Sequence, residues 1–136
     1  MKTAIKRQFT ALLAAALLLF LPASCHHGEN PDHARSREAA EKAYQLLING
    51  KYDDYVQQIY YADSLTDTYR QQLTERMAEY MHNEEEHRGG LIGAVATYDT
   101  LMGDQAHVFL ELTFGDGSMH EVGVPMVKVN GKWRLQ

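Results

Sequence analysis

Cysteine is nearly absent from this chain of 136 residues, occurring once, at Cys25. A lone cysteine excludes an intrachain disulfide and any zinc site built on cysteine pairs. Positive charge is also short. Lys2, Lys6 and Arg7 all lie in the first few residues, so beyond the leader 10 Lys and Arg face 18 Asp and Glu, a charge of −8. An acidic domain repels the phosphates of nucleic acids and of anionic lipid surfaces, so neither is an expected partner. The chain carries no nucleophile elbow, phosphate loop or dinucleotide fingerprint. Gly89-Gly90 reads as a helix-to-strand break and not as a phosphate cradle. There is no internal repeat, and the length suits one domain able to build its own core without cross-links.

What is present at the start has three zones. Lys2, Lys6 and Arg7 form a basic opening, and Phe9 to Leu21 is an apolar run of 13 residues. Pro22-Ala23-Ser24 then breaks the run with small residues before Cys25. This is the layout of a secretory signal peptide, and the run is short of the ~20 residues that span a bilayer. Leu21-Pro-Ala-Ser-Cys25 resembles a lipobox, the site where signal peptidase II cuts before an acylated cysteine, although Pro22 stands where leucine is usual. The expectation is a signal peptide over 1–24, lipid attachment at Cys25, a flexible tether over 25–35, and one domain over 36–136. The protein is then exported and lipid-anchored in the bacterial cell envelope, on the periplasmic face or the cell surface, meeting the membrane through its N-terminal lipid.

Beyond the tether the apolar pattern is helical. Asn30-Pro31 or Ser36 is a candidate cap for a helix in which Ala39, Ala40, Ala43, Tyr44 and Leu47 recur at three- and four-residue steps, with Gly50 placed to end it. Tyr52, Tyr55, Val56, Ile59 and Tyr60 predict a short second helix reaching Asp63-Ser64. A third starts near Thr66 or Asp67, with Tyr69, Leu73, Met77, Tyr80 and Met81 on one face. From Leu91 the period changes to strands. Ala106, Val108, Leu110, Leu112 and Phe114 alternate on one face of the second strand, as do Val122, Val124 and Met126 on the third. Gly103-Asp104, Gly115-Asp116-Gly117 and Asn130-Gly131 supply the turns, so neighbouring strands are antiparallel. Pro125 marks an edge or a bulge. Helices followed by such a meander give an α+β layer arrangement, three helices packed on a four-stranded antiparallel sheet.

The order of elements, Gly50-Lys-Tyr-Asp-Asp-Tyr-Val56 after the first helix, and above all the ending from Phe114 through Val124-Pro-Met-Val to Asn130-Gly-Lys-Trp133, resemble a group of small bacterial lipoproteins. These carry a domain of unknown function with a nuclear transport factor 2-like (cystatin-like) fold. The resemblance covers roughly residues 36–136. It implies a curved sheet wrapped around the helices, with a cone-shaped cavity between them, and it implies no activity.

Enzymes on this fold, such as ketosteroid isomerase, set a carboxylate and proton donors inside the cone. Strand alternation sends Glu111 and Glu121 to the outer face and leaves Asp99 near a strand end, so no interior carboxylate is predicted. His120 shares the face of Val122. His82 and Glu86 share a helix face, but His87 falls off it, which leaves too few convergent ligands for a metal. The spacing implies neither a metal nor any other cofactor. Tyr44, Tyr55, Tyr80 and Tyr98, with His120, are the candidate pocket lining, and Phe109 on the outer face is a candidate contact for a homodimer through the sheet. The expected function is non-catalytic binding of a small ligand or an envelope protein. The alternative is a small enzyme, isomerase- or hydrolase-like, using the cone with His120 and tyrosines as proton-transfer groups.

Overall fold

The computed structural model describes residues 28–136. The leader, Cys25 and the His26-His27 pair lie outside the described residues. Helix α1 (Pro31–Ile48) is followed by α2 (Tyr52–Gln57), a single 3₁₀ turn (Ala62–Ser64) and α3 (Asp67–Arg88), then by strands β1 (Leu91–Met102), β2 (Gln105–Phe114), β3 (Met119–Val129) and β4 (Lys132–Leu135). The strands form one antiparallel sheet in the order β1-β2-β3-β4.

Helix α1 begins earlier than a tether running to residue 35 allows. The Asn30 side chain accepts a hydrogen bond from the Asp32 amide at 3.0 Å, and Pro31 fills the first turn, where a missing N–H costs nothing. The other candidate cap, Ser36, is fully buried inside the helix and donates to the His33 carbonyl. Residues 31–35 are therefore helical, and contacts to the sheet hold them there: Lys128 Nζ lies 2.9 Å from the Asp32 carboxylate. Ala40, Ala43 and Leu47 make the buried face, and the two alanines let the helix lie close to the strands.

The second helix stops at Gln57, short of its expected end. Ile59 instead forms an isolated parallel bridge with Leu135, supported by the Tyr60 amide on the Leu135 carbonyl at 2.8 Å and the Leu135 amide on the Gln58 carbonyl at 2.9 Å. Helix α3 is capped by the Thr66 hydroxyl at one end and by left-handed Gly89 at the other. Of its expected apolar stripe only Met81 is buried, while Tyr69 and Tyr80 are exposed. No helix among the described residues is long and apolar enough to cross a membrane.

The second strand follows its pattern along its whole length, with Ala106, Val108, Leu110, Leu112 and Phe114 all buried. Asn130 and Gly131 both take positive φ at the β3–β4 turn, as a two-residue hairpin needs. Pro125 falls just past the reach of β4, whose Leu135 pairs with Met126, so its missing N–H spoils no rung of the ladder. β1 departs from simple alternation. Ala96 faces Leu110 and Tyr98 faces Phe109, which leaves Thr97 as an extra residue in a bulge. The Ala96 amide donates to the Glu41 carboxylate of α1 at 2.7 Å. Before the bulge Ala94 and Ala96 point inward, and after it Asp99 and Leu101 do.

Candidate functional site

Three of the candidate tyrosines, one from each helix, come together. The rings of Tyr44 and Tyr55 meet edge to face, with centroids 6.3 Å apart. Burial pushes all three hydroxyls above the ordinary tyrosine value, most of all Tyr44, and the neighbouring phenols of the cluster add to the effect on Tyr44 and Tyr55. At Tyr80 the Glu84 carboxylate adds to burial, while Arg88 pulls the other way. No hydrogen bond among the described residues contributes at any of the three.

The cluster continues along α3, because Tyr80, Glu84 and Arg88 follow at four-residue steps on one face. Glu84 Oε2 is buried and has no hydrogen-bond partner. Arg88 Nε stands 3.4 Å from it, close enough for charge attraction but not aligned as a hydrogen bond. The Arg88 guanidinium lies 4.9 Å over the ring of Phe114, and His120 presents its ring to the same phenylalanine edge to face at 5.6 Å. Tyr44, Tyr55 and Tyr80 thus connect through Glu84, Arg88 and Phe114 to His120, which is exposed at the far margin. The arrangement places aromatic faces beside hydroxyl donors and one carboxylate acceptor.

Tyr98 does not belong to it. The bulge at Thr97 sends Tyr98 to the outer face of the sheet, 59% exposed and stacked on Phe109 at 5.8 Å. Glu111 and Glu121 sit opposite one another on that outer face, paired across β2 and β3. The same shift corrects the expectation that no carboxylate points inward. Asp99 is buried against α1, where Oδ2 lies 2.6 Å from His33 Nδ1 and Oδ1 lies 3.2 Å from Arg37 Nε. Arg37 also reaches Glu29 at 2.9 Å. None of these residues announced itself in sequence. His33 lay in the expected tether, and the parity of Asp99 depends on a bulge that no turn residue marks.

Asp99 orients one imidazole nitrogen of His33, as an acid partner does for a catalytic histidine, but both of its oxygens are engaged and it is no free base. The described serines offer no nucleophile beside it: the hydroxyls of Ser36 and Ser64 donate to backbone carbonyls, and that of Ser118 donates to Asp116. Among the described residues no group of three or more His, Cys, Asp or Glu gathers as a metal site. His82 and Glu86 do meet, at 3.3 Å, while His87 turns to the Asn83 carbonyl.

No family model matches this chain, and no curated protein matches it in sequence. Its fold does match a solved structure. A protein from Campylobacter jejuni, provisionally named an NTF2-like transpeptidase, superimposes with a TM-score of 0.60 over 79% of this chain and 97% of its own, at 17% identity. Identity that low carries the architecture and nothing of the reaction. Three helices followed by a four-stranded antiparallel meander, matched along nearly the whole of that neighbour, have the nuclear transport factor 2-like fold.

Proposed function

We propose that the chain is an exported lipoprotein, acylated at Cys25 and held in the bacterial cell envelope, whose nuclear transport factor 2-like domain binds a small ligand and catalyses no reaction. The observation that carries the binding reading is the convergence of the part-buried phenols of Tyr44 and Tyr55 and the more exposed Tyr80 beside Glu84, whose buried Oε2 has no hydrogen-bond partner among the described residues. Raised above the ordinary value of 10.0, the three phenols stay protonated at neutral pH and act as donors toward ligand hydroxyl, carbonyl or ether oxygens. Phenols that stay protonated at neutral pH can donate but not accept a proton, so the enzyme alternative needs its base from another residue. Asp99 is committed to His33 and Arg37, and His120 stands exposed. The neighbour's name attaches transpeptidation to this fold. Acyl transfer of that kind needs an activated nucleophile, and no described serine is paired with a histidine side chain.

Native mass spectrometry of the chain purified from its own host tests the reading. The wild type is expected to carry an additional small mass, and a variant with Tyr55→Phe and Tyr80→Phe to lose most of it. An additional mass retained unchanged by that variant moves the ligand away from the tyrosines and defeats the proposal.

A further inference from the structure

Helix α1 packs on the face of the sheet that carries Val108, Leu110 and Leu112. The opposite face bears Val95, Tyr98 and Met102, which are 60%, 59% and 74% exposed, with Phe109 half-buried among them. Apolar side chains gathered on one uncovered face mark a contact surface. Strand pairing divides that face into rows. Val95, Glu111 and Glu121 form the first, and Tyr98 and Phe109 lie in the second. His107 and Pro125 lie in the third, and Met102 and Arg134 in the fourth.

Charge along these rows is polarised. Like charges set opposite one another on neighbouring strands destabilise a sheet. Glu111 and Glu121 are set that way, and neither forms an ion pair among the described residues. Arg134, three rows away, meets no carboxylate either; its guanidinium donates to the Gln57 carbonyl at 2.7 Å. Lys132 stands one row beyond it. A partner of a single charge suits only one end of this face, whereas a second copy turned end for end suits both.

We propose that the outer face pairs with a second copy of this chain about a two-fold axis. The axis lies between the two sheets, runs across the strands, and passes midway between the Tyr98–Phe109 and His107–Pro125 rows. It reverses the strand direction of one copy over the other. The Glu111–Glu121 row of each copy then lies over the Arg134 row of its partner, and Val95 lies over Met102. Charged ends and apolar edge are thus both self-complementary. Each strand residue covers about 3.3 Å by 4.8 Å, so the four strands offer about 600 Å² per copy, and two copies reach the lower end of the ~1,200–2,000 Å² of specific interfaces. The pairing is separate from the tyrosine cluster among the helices and does not depend on ligand binding there.

Sedimentation equilibrium of the full chain in a density-matched non-ionic detergent tests the pairing, with circular dichroism melts to confirm that each variant folds. The mass is expected to rise from one copy to two with concentration and to stop there, because a two-fold contact closes. Tyr98→Asp and Glu121→Arg, both at exposed positions, are each expected to weaken association about tenfold or more. Arg134→Glu is expected to do the same. Glu121→Arg combined with Arg134→Glu should return to within about threefold of the wild type, because the two charges exchange ends. A wild type that stays at one copy overturns the proposal, as does a mass that grows past two. So does association unchanged by Tyr98→Asp or Glu121→Arg, or a double variant that associates no better than its singles. If Arg134→Glu does not fold, Tyr98→Asp and Glu121→Arg decide alone.

Discussion

Asp99 carries both its formal charge and its packing through two contacts on one helix. With its side chain 4% exposed, the carboxylate has His33 on one oxygen and Arg37 on the other, and the three together pin the first turns of α1 to β1. Asp99→Asn keeps the volume and one acceptor but loses the charge and turns an NH₂ group toward a donor. The expected cost is about 1–3 kcal/mol, read as a lower midpoint in urea at pH 7 with an unchanged slope. A midpoint within error of wild type would show that the contacts are incidental. Asp99 also shows where sequence reasoning ran out. Alternation carried Val122, Val124 and Met126 correctly, because β3 is regular. In β1 the register slips twice, between Leu91 and Gly93 and again at Thr97, and the second slip reverses parity for everything after it, so Tyr98 leaves the candidate pocket and Asp99 enters the interior. Threonine suits a regular strand as well as a bulge, and the amide freed at Ala96 is satisfied by Glu41, 55 residues away in sequence. Local pattern cannot report a partner that distant.

At the scale of elements, the corner between α3 and β1 and the turn between β2 and β3 are locked backbone to backbone. The Gly115 amide donates to the Gly90 carbonyl at 2.8 Å, and the Asp116 amide to the Arg88 carbonyl at 2.8 Å. A Cβ on Gly115 would stand 2.1 Å from the Gly89 carbonyl oxygen, in backbone that cannot swing aside. Gly115→Ala is therefore expected to destabilise the domain by about 2 kcal/mol or more. On Gly123 the added atom would meet His107 Nε2 at 2.6 Å, the far end of an exposed side chain that can rotate away. Gly123→Ala should cost less than about 1 kcal/mol. Thermal melts of the two variants side by side check the contrast, and equal losses would contradict it. The elements themselves were readable in proportion to their regularity. Strand β2 and the body of helix α1, with strict spacing, appeared as expected, although α1 starts at Pro31, inside the expected tether. The segment after α2 did not, because Ile59 and Tyr60 fit a helical stripe while their backbone pairs with β4, again a partner far along the chain.

For the molecule as a whole, acid is the informative stress. The hydrogen bond from Lys128 holds the Asp32 carboxyl below the ordinary value of 3.8, with Trp133 adding to it and burial opposing. A depressed value means that this contribution to stability is present above pH 3.8 and is lost as the pH falls through the lowered value. The difference in melting temperature between wild type and Asp32→Asn should stay constant from neutrality down to about pH 5, shrink below about pH 4 and disappear in stronger acid. A difference that persists in strong acid would assign the effect to helix capping and not to the ion pair. The proposed anchor has its own whole-molecule test. Cells fed labelled palmitate should mark the wild type and leave Cys25→Ala unlabelled, and label surviving in the variant would rule out acylation at that cysteine.

The early start of α1 decides how far this domain can stray from the bilayer to which Cys25 is proposed to hold it. Five peptide steps separate Cys25 from Asn30, which already caps the helix, and chain of that length reaches at most about 18 Å when fully drawn out. A domain of this size has a radius of gyration of about 13 Å. Its leash is thus little longer than its own radius, and it would roll against the headgroups without searching the depth of the envelope. On the proposed anchor, any pull on that leash would fall first on the Asp32–Lys128 and His33–Asp99 contacts, and whatever the domain were to bind would have to come to the membrane surface to be met.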